Sequence, residues 1–157
     1  QTAEMIGKLS QMMRYTMRET QKDLVSLLDE IDYVDCFIEL QRLRLDSNVK
    51  LHFEREGNFS DYQIAPMLLI PFVENAFKHG LFNDKNNPIS ILIIIDEQLL
   101  HFQITNTINH AKKDKTGGIG LVNVKRRLSL IYPEKHTLEI HHLENEFIVE
   151  LKIRLDD

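Results

Sequence analysis

Asn75, Lys78 and His79 fall at i, i+3 and i+4 within PFVENAFKHG, residues 71–80, so a helix there carries all three on one face. An amide oxygen can ligate Mg²⁺, and an ammonium and an imidazole can reach phosphate oxygens, so that face has the chemistry to hold a metal nucleotide. The same trio also suits a solvated helix end just before Gly80. A second segment, TGGIGLVNVKRRL, runs Gly117, Gly118 and Gly120 directly into a helix. Backbone amides left bare by glycine at a helix N-terminus bind phosphate, although a flexible loop end has the same composition. It is neither a dinucleotide fingerprint nor a Walker loop: no GxGxxG follows a first strand, and GxxxxGK[ST] is missing.

The remaining chemistry is thin. A net charge of -5 without a basic stripe argues against a nucleic-acid surface. Cys36 is the one cysteine, so there is no disulfide framework; its neighbours Val34, Phe37 and Ile38 predict a small buried hydrophobe on a helix, and such usage fits reducing, cytoplasmic surroundings. His141 and His142 are adjacent on an extended segment and point to opposite faces, which prevents them from chelating one metal. Lys112, Lys113 and Lys115 read as a solvated loop face. The longest apolar runs, such as Ile89–Ile95, stop well short of the roughly 20 residues that cross a bilayer, so no membrane contact is expected of this chain. It opens on Gln1 with a helical pattern from Thr2, and is expected to be a piece of a longer protein.

The elements that would position these residues can be read from periodicity. Ile6, Leu9, Met12, Met13 and Met17, then Leu24, Leu27, Leu28, Ile31, Val34, Ile38 and Leu45, recur at helical spacing on either side of the polar stretch Glu19–Asp23. This predicts a helical hairpin over 1–46. A lone hairpin cannot bury both apolar stripes, so either two copies form a four-helix bundle or the hairpin packs onto the domain C-terminal to it. From Val49 the period changes to two, with a turn around Gly57. A helix is predicted over Pro66–His79, starting at Pro66, kinked at Pro71 and capped by Gly80. Ile89–Ile95 and Leu99–Thr105 form a hairpin; Asn106–Gly118 reads as a mobile loop; a helix then buries Leu121, Val124, Leu128 and Ile131, exposes Lys125, Arg126 and Arg127, and stops at Pro133. Strands His136–His142 and Glu146–Leu155 finish the chain. The expected fold class is α+β: a helical hairpin, then over 47–157 a two-layer α/β sandwich with helices on one face of a mixed, mostly antiparallel sheet.

Taken together, in this order and separated by a β-hairpin, the two segments resemble known motifs. PFVENAFKHG looks like the N box, and TGGIGL like the second glycine box, of GHKL-type ATPases. More narrowly, LSQMMRYTMRET, VSLLDEIDYVDCFIELQRLRL, IAPMLLIPFVENAFKHG and VNVKRRLSLIYP resemble LytS-like sensor histidine kinases over nearly the whole chain. That resemblance implies a Bergerat sandwich binding ATP with Mg²⁺, a hairpin that dimerises, and a response-regulator receiver domain as partner. The full-length protein would sit in the inner membrane with this part cytoplasmic. By the family pattern Asn75 would ligate Mg²⁺, and Lys78 and His79 would approach the phosphates. Gly118 and Gly120 would shape the hinge of a lid formed by Thr107–Gly117, with Leu121 and Asn123 at the nucleotide and Arg127 structural or docking a partner. The phospho-acceptor histidine of the family lies upstream of the position of Gln1, and residues 1–51 contain no histidine, so the chain is expected not to phosphorylate itself.

Two positions depart from the pattern. The family's adenine-binding aspartate, followed by glycine, is here ITNTIN, with Asn106 at the aspartate position and Ile108 where glycine is expected. A neutral acceptor forgoes roughly 1 kcal/mol relative to a charged one, which would weaken adenine binding about five- to tenfold. The glutamate that GHKL hydrolases carry one turn before the N-box asparagine is Pro71, and Glu74 is rotated about 100° away from Asn75. Phosphoryl transfer is therefore expected over hydrolysis. The rival expectation is a degenerate nucleotide pocket serving as a dimerisation or docking module.

Overall fold

The computed structural model describes residues 2–45, 50–80, 89–111 and 119–156. In chain order the elements are α1 (Thr2–Glu19), β1 (Val25–Ser26), α2 (Leu27–Arg44), β2 (Leu51–Glu56), β3 (Gln63–Ile64), α3 (Ile70–His79), β4 (Ile89–Asp96), β5 (Leu99–Thr107), α4 (Ile119–Ile131), β6 (His136–His142) and β7 (Glu146–Arg154).

Strict alternation builds the main sheet. Its order is β2-β4-β5-β7-β6, with β2 parallel to β4 and every other pair antiparallel. Because side chains alternate across a strand, Ile89, Ile91, Ile93 and Ile95, then Leu100, Phe102 and Ile104, then Val149, Leu151 and Ile153 all reach one face and are buried there. Helices α3 and α4 cover that face. Phe72 of α3 meets Phe102 of β5 with ring centroids 6.0 Å apart, and Val124 and Leu128 of α4 close the same core. Burying a side chain such as Phe72 contributes about 1.5–3 kcal/mol. The fold class is the expected α+β sandwich with a helical hairpin in front.

The hairpin treats its two helices unequally. Leu27, Ile31, Val34 and Ile38 of α2 are buried in the same core as the sheet, whereas α1 has no fully buried residue. The second arrangement open to the hairpin, packing onto the C-terminal domain, therefore holds for α2. Strands β1 and β3 reinforce it by pairing Val25 with Ile64. Cys36 is buried on α2, as its neighbours predicted.

Three expectations are corrected. The helix expected from Pro66 starts at Ile70, and Pro71 opens its first turn instead of kinking it, where the missing N–H removes no bond. Residues 66–69 form a turn with Met67 at φ 61°. The amides of Met67, Leu68 and Leu69 donate instead to the buried Glu30 carboxylate, at 3.0, 3.1 and 3.4 Å. On α4, Ile131 is exposed rather than buried. Arg127 is drawn inward by the carbonyls of Met67 and Pro66, which accept from it at 3.2 and 2.8 Å.

Candidate functional site

Helix α3 presents two functional faces. Phe77 meets Phe37 of α2 edge-on at 5.7 Å, and Glu74, one turn earlier, lies close enough to Tyr33 of α2 for its charge to raise that phenol, after burial. Desolvation also raises the Glu74 carboxyl, although the residue as a whole remains exposed. Asn75 and His79 are half-buried and Lys78 is exposed, and the 100° step of the helix rotates Asn75 away from Glu74.

The C-terminal end of α3 is joined to the end of β5. Gly80 forms an antiparallel bridge with Ile108, and the Asn109 amide donates to the His79 carbonyl at 3.0 Å. Gly80 is needed for close approach and not for a left-handed backbone: its φ is -74°, and a Cβ would stand 2.5 Å from the Ala76 carbonyl oxygen. The same hypothetical Cβ would lie 3.6 Å from the Asn106 Cβ, so Asn106 sits directly behind the helix end. It is 2% exposed. Its Nδ2 donates to the Thr107 carbonyl at 3.2 Å, which leaves the Oδ1 end of the amide as the acceptor.

Helix α4 packs beside α3. Gly120 lies in its first turn, and a Cβ there would meet nothing within 4 Å among the described residues. Leu121 is half-buried and Asn123 exposed. Gly117, Gly118, the lysines Lys112, Lys113 and Lys115, and most of the expected lid lie outside the described residues. Asn75, Lys78 and His79 are thus carried by the helix whose C-terminal end meets the strand end bearing Asn106, and α4 packs beside that helix. An amide ligand, an ammonium, an imidazole and a buried amide acceptor form a donor set that fits a magnesium nucleotide.

Three residues tie this region together without having been singled out as site residues for that role: Glu30, Arg127 and Tyr132. The buried Tyr132 hydroxyl accepts from the Ala65 amide at 2.9 Å, one residue before the turn that Glu30 and Arg127 hold. No periodicity marks such contacts, since each spans at least 37 residues of chain. A cavity of about 620 Å³ opens elsewhere, among Leu24, Tyr62, Tyr132 and Lys135, and none of the expected nucleotide residues lines it. His141 lies 3.6 Å from Glu139, while His142 stacks edge-on against Phe147 at 5.6 Å. The two imidazoles diverge as expected.

The sequence and the fold both have counterparts among known proteins. Residues 1–49 match a family model described as histidine kinase. The chain is 30% identical over 151 residues to the sensor protein kinase HptS of Staphylococcus aureus strain USA300, an alignment covering 92% of this chain and 27% of HptS. HptS of strain NCTC 8325 matches equally. The chain spans about a quarter of the length of these curated relatives, 27%. Among solved structures, the nucleotide-free catalytic domain of histidine kinase ThkA superposes with a TM-score of 0.57 at 17% identity, covering 84% of this chain and 95% of that one. The histidine kinase AdeS of Acinetobacter baumannii gives a TM-score of 0.56 at 18% identity, over 99% and 77%. ThkA in complex with the response regulator TrrA gives 0.55 at 15% identity, over 98% and 49%. The chain has the fold of histidine-kinase catalytic domains.

Proposed function

We propose that this chain is the ATP-binding catalytic region of a LytS-like sensor histidine kinase: residues 1–46 are a helical hairpin that dimerises, and residues 47–157 bind ATP with Mg²⁺. The observation that carries this reading is the placement of buried Asn106 beside Gly80, which ends the helix bearing Asn75, Lys78 and His79. Similarity to sensor protein kinases over 92% of the chain supports it.

In this reading Asn75 holds the metal, Lys78 and His79 approach phosphate oxygens, and Asn106 accepts from the adenine amino group. Gly118, Gly120, Leu121 and Asn123 complete the cradle. The bound Mg²⁺ supplies charge neutralisation at the phosphates. The chain's own residues orient the nucleotide and withhold a water-activating base, since Pro71 occupies that position and Glu74 is rotated about 100° around the helix from Asn75. The γ-phosphate is directed to a histidine and from there to an aspartate on a response-regulator receiver domain. The working location is cytoplasmic, as part of a protein anchored in the inner membrane.

Calorimetric titration with ATP and ADP, with and without Mg²⁺, tests the pocket. Binding with negligible hydrolysis is expected, and Asn75→Ala should remove the Mg²⁺-dependent component. No detectable binding at millimolar nucleotide would instead favour a docking module with a degenerate pocket, the reading that the uncharged Asn106 would then support. Incubation with γ-labelled ATP should leave the chain unlabelled, because its first histidine is His52. Label on His52 or His79 would overturn the kinase assignment.

A further inference from the structure

Glu30 of α2 is fully buried, yet its carboxylate is matched by four donors. The Tyr15 hydroxyl of α1 donates to Oε2 at 2.6 Å, the Met67 amide to Oε2 at 3.0 Å, and the Leu68 and Leu69 amides to Oε1 at 3.1 and 3.4 Å. Those amides lie immediately before α3, where unpaired N–H groups and the helix dipole favour an anion. The same turn is also held by Arg127 of α4, which donates to the Pro66 and Met67 carbonyls, and just before it the Ala65 amide donates to the hydroxyl of Tyr132, the residue after α4. Met67 is held at φ 61° in between, a left-handed conformation that a residue with a side chain keeps only when its surroundings over-determine it.

This turn starts the helix that carries Asn75, Lys78 and His79, and its other anchor, α4, carries Gly120 and Asn123. The turn thus connects the two helices that carry the proposed nucleotide residues. Tyr15 is the link to α1, a helix without a fully buried residue. Its ring stacks on Tyr33 at 5.0 Å. Burial, and then the Glu30 charge, push its phenol far above the ordinary value, so the hydroxyl remains a donor.

We propose that Glu30 is a positioning residue for the nucleotide site, and that the Tyr15 hydroxyl makes the placement of α3 depend on the placement of α1. A shift or rotation of α1 along α2 withdraws the hydroxyl and leaves a buried carboxylate short of one partner. The carboxylate then redistributes its hydrogen bonds among the three amides, and the start of α3 shifts with them. The proposal rests on the nucleotide-site reading for its functional consequence, but the mechanical link is a property of the fold alone.

Tyr15→Phe removes only the hydroxyl, and Glu30→Gln removes the charge and one acceptor. Tyr33→Phe is the control, because it removes a hydroxyl bonded to Thr16 of α1 and leaves every donor to Glu30 in place. In the 157-residue chain, Tyr15→Phe should speed amide exchange at Met67–Leu69 and along α3 by roughly tenfold while β4, β5 and β7 keep their protection. Affinity for Mg-ATP should fall roughly three- to tenfold, with a smaller change for ATP without metal. Tyr33→Phe should leave α3 exchange and affinity as in the parent. If Glu30→Gln fails to fold, Tyr15→Phe decides alone. Unchanged α3 exchange in Tyr15→Phe, or a uniform loss of protection across the sheet, overturns the proposal. If the parent chain binds no nucleotide, the kinase reading falls and the exchange pattern still decides the link.

Discussion

Asn106 concentrates the tension between affinity and stability at a single side chain. A carboxylate there would offer adenine a charged acceptor, expected to strengthen nucleotide binding about five- to tenfold. The position is nearly sealed from solvent, however, and the Asn106 Nδ2 donates to the Thr107 carbonyl. Asn106→Asp would replace that bond with a carboxylate facing a carbonyl oxygen, at a cost of about 1–3 kcal/mol. Titration should therefore show tighter ATP binding together with a lower melting temperature; unchanged affinity would remove Asn106 from the adenine contact. Asn75, Lys78 and His79 could be aligned from helical spacing alone, whereas Asn106 was reached only through its place in the motif that the chain resembles. Glu30 and Arg127 were not. Each acts on backbone groups far away in sequence, so their roles depend on tertiary placement that neither composition nor period encodes.

Helix α3 is positioned at both ends by features that tolerate little substitution. At its C-terminal end Gly80 brings the chain so close to the Ala76 carbonyl that an added Cβ would stand 2.5 Å away, so Gly80→Ala must displace the bridge to Ile108 and with it the strand end bearing Asn106. A loss of about 1–3 kcal/mol in denaturant unfolding is expected, together with weaker nucleotide binding; full stability and affinity would show that the last turn yields freely. The last strand was readable from alternation because one face is buried, as Val149, Leu151 and Ile153 illustrate, whereas Ile89–Ile95 was legible as an apolar run. The start of α3 was misread for a physical reason. Pro66 and Pro71 both suit a first helical turn, and only the Glu30 carboxylate, by taking the amides of Met67, Leu68 and Leu69, decides between them. Strands β1 and β3, with two residues each, are too short to show any period.

At the scale of the whole molecule the unequal hairpin leaves one large apolar feature uncovered. Ile6, Leu9, Met13 and Met17 of α1 are 60%, 52%, 56% and 71% exposed, and the spacing of the first three, i, i+3 and i+7, is that of a seam between paired helices. With α2 already committed to the core, this stripe is available to the α1 helix of a second copy, where symmetry would bring like residues together. Each apolar side chain fully removed from water contributes about 1.5–3 kcal/mol, set against a cost of association of roughly 4–15 kcal/mol. Four residues from each copy can outweigh that cost only modestly, so a reversible dimer is expected, with sedimentation that depends on concentration. Leu9→Glu together with Met13→Glu should give a monomer that keeps the melting behaviour of the core, since neither side chain is buried in it. A double variant that still sediments as a dimer would place the interface elsewhere, and a parent chain that is monomeric at high concentration would show that this stripe alone does not hold two copies together.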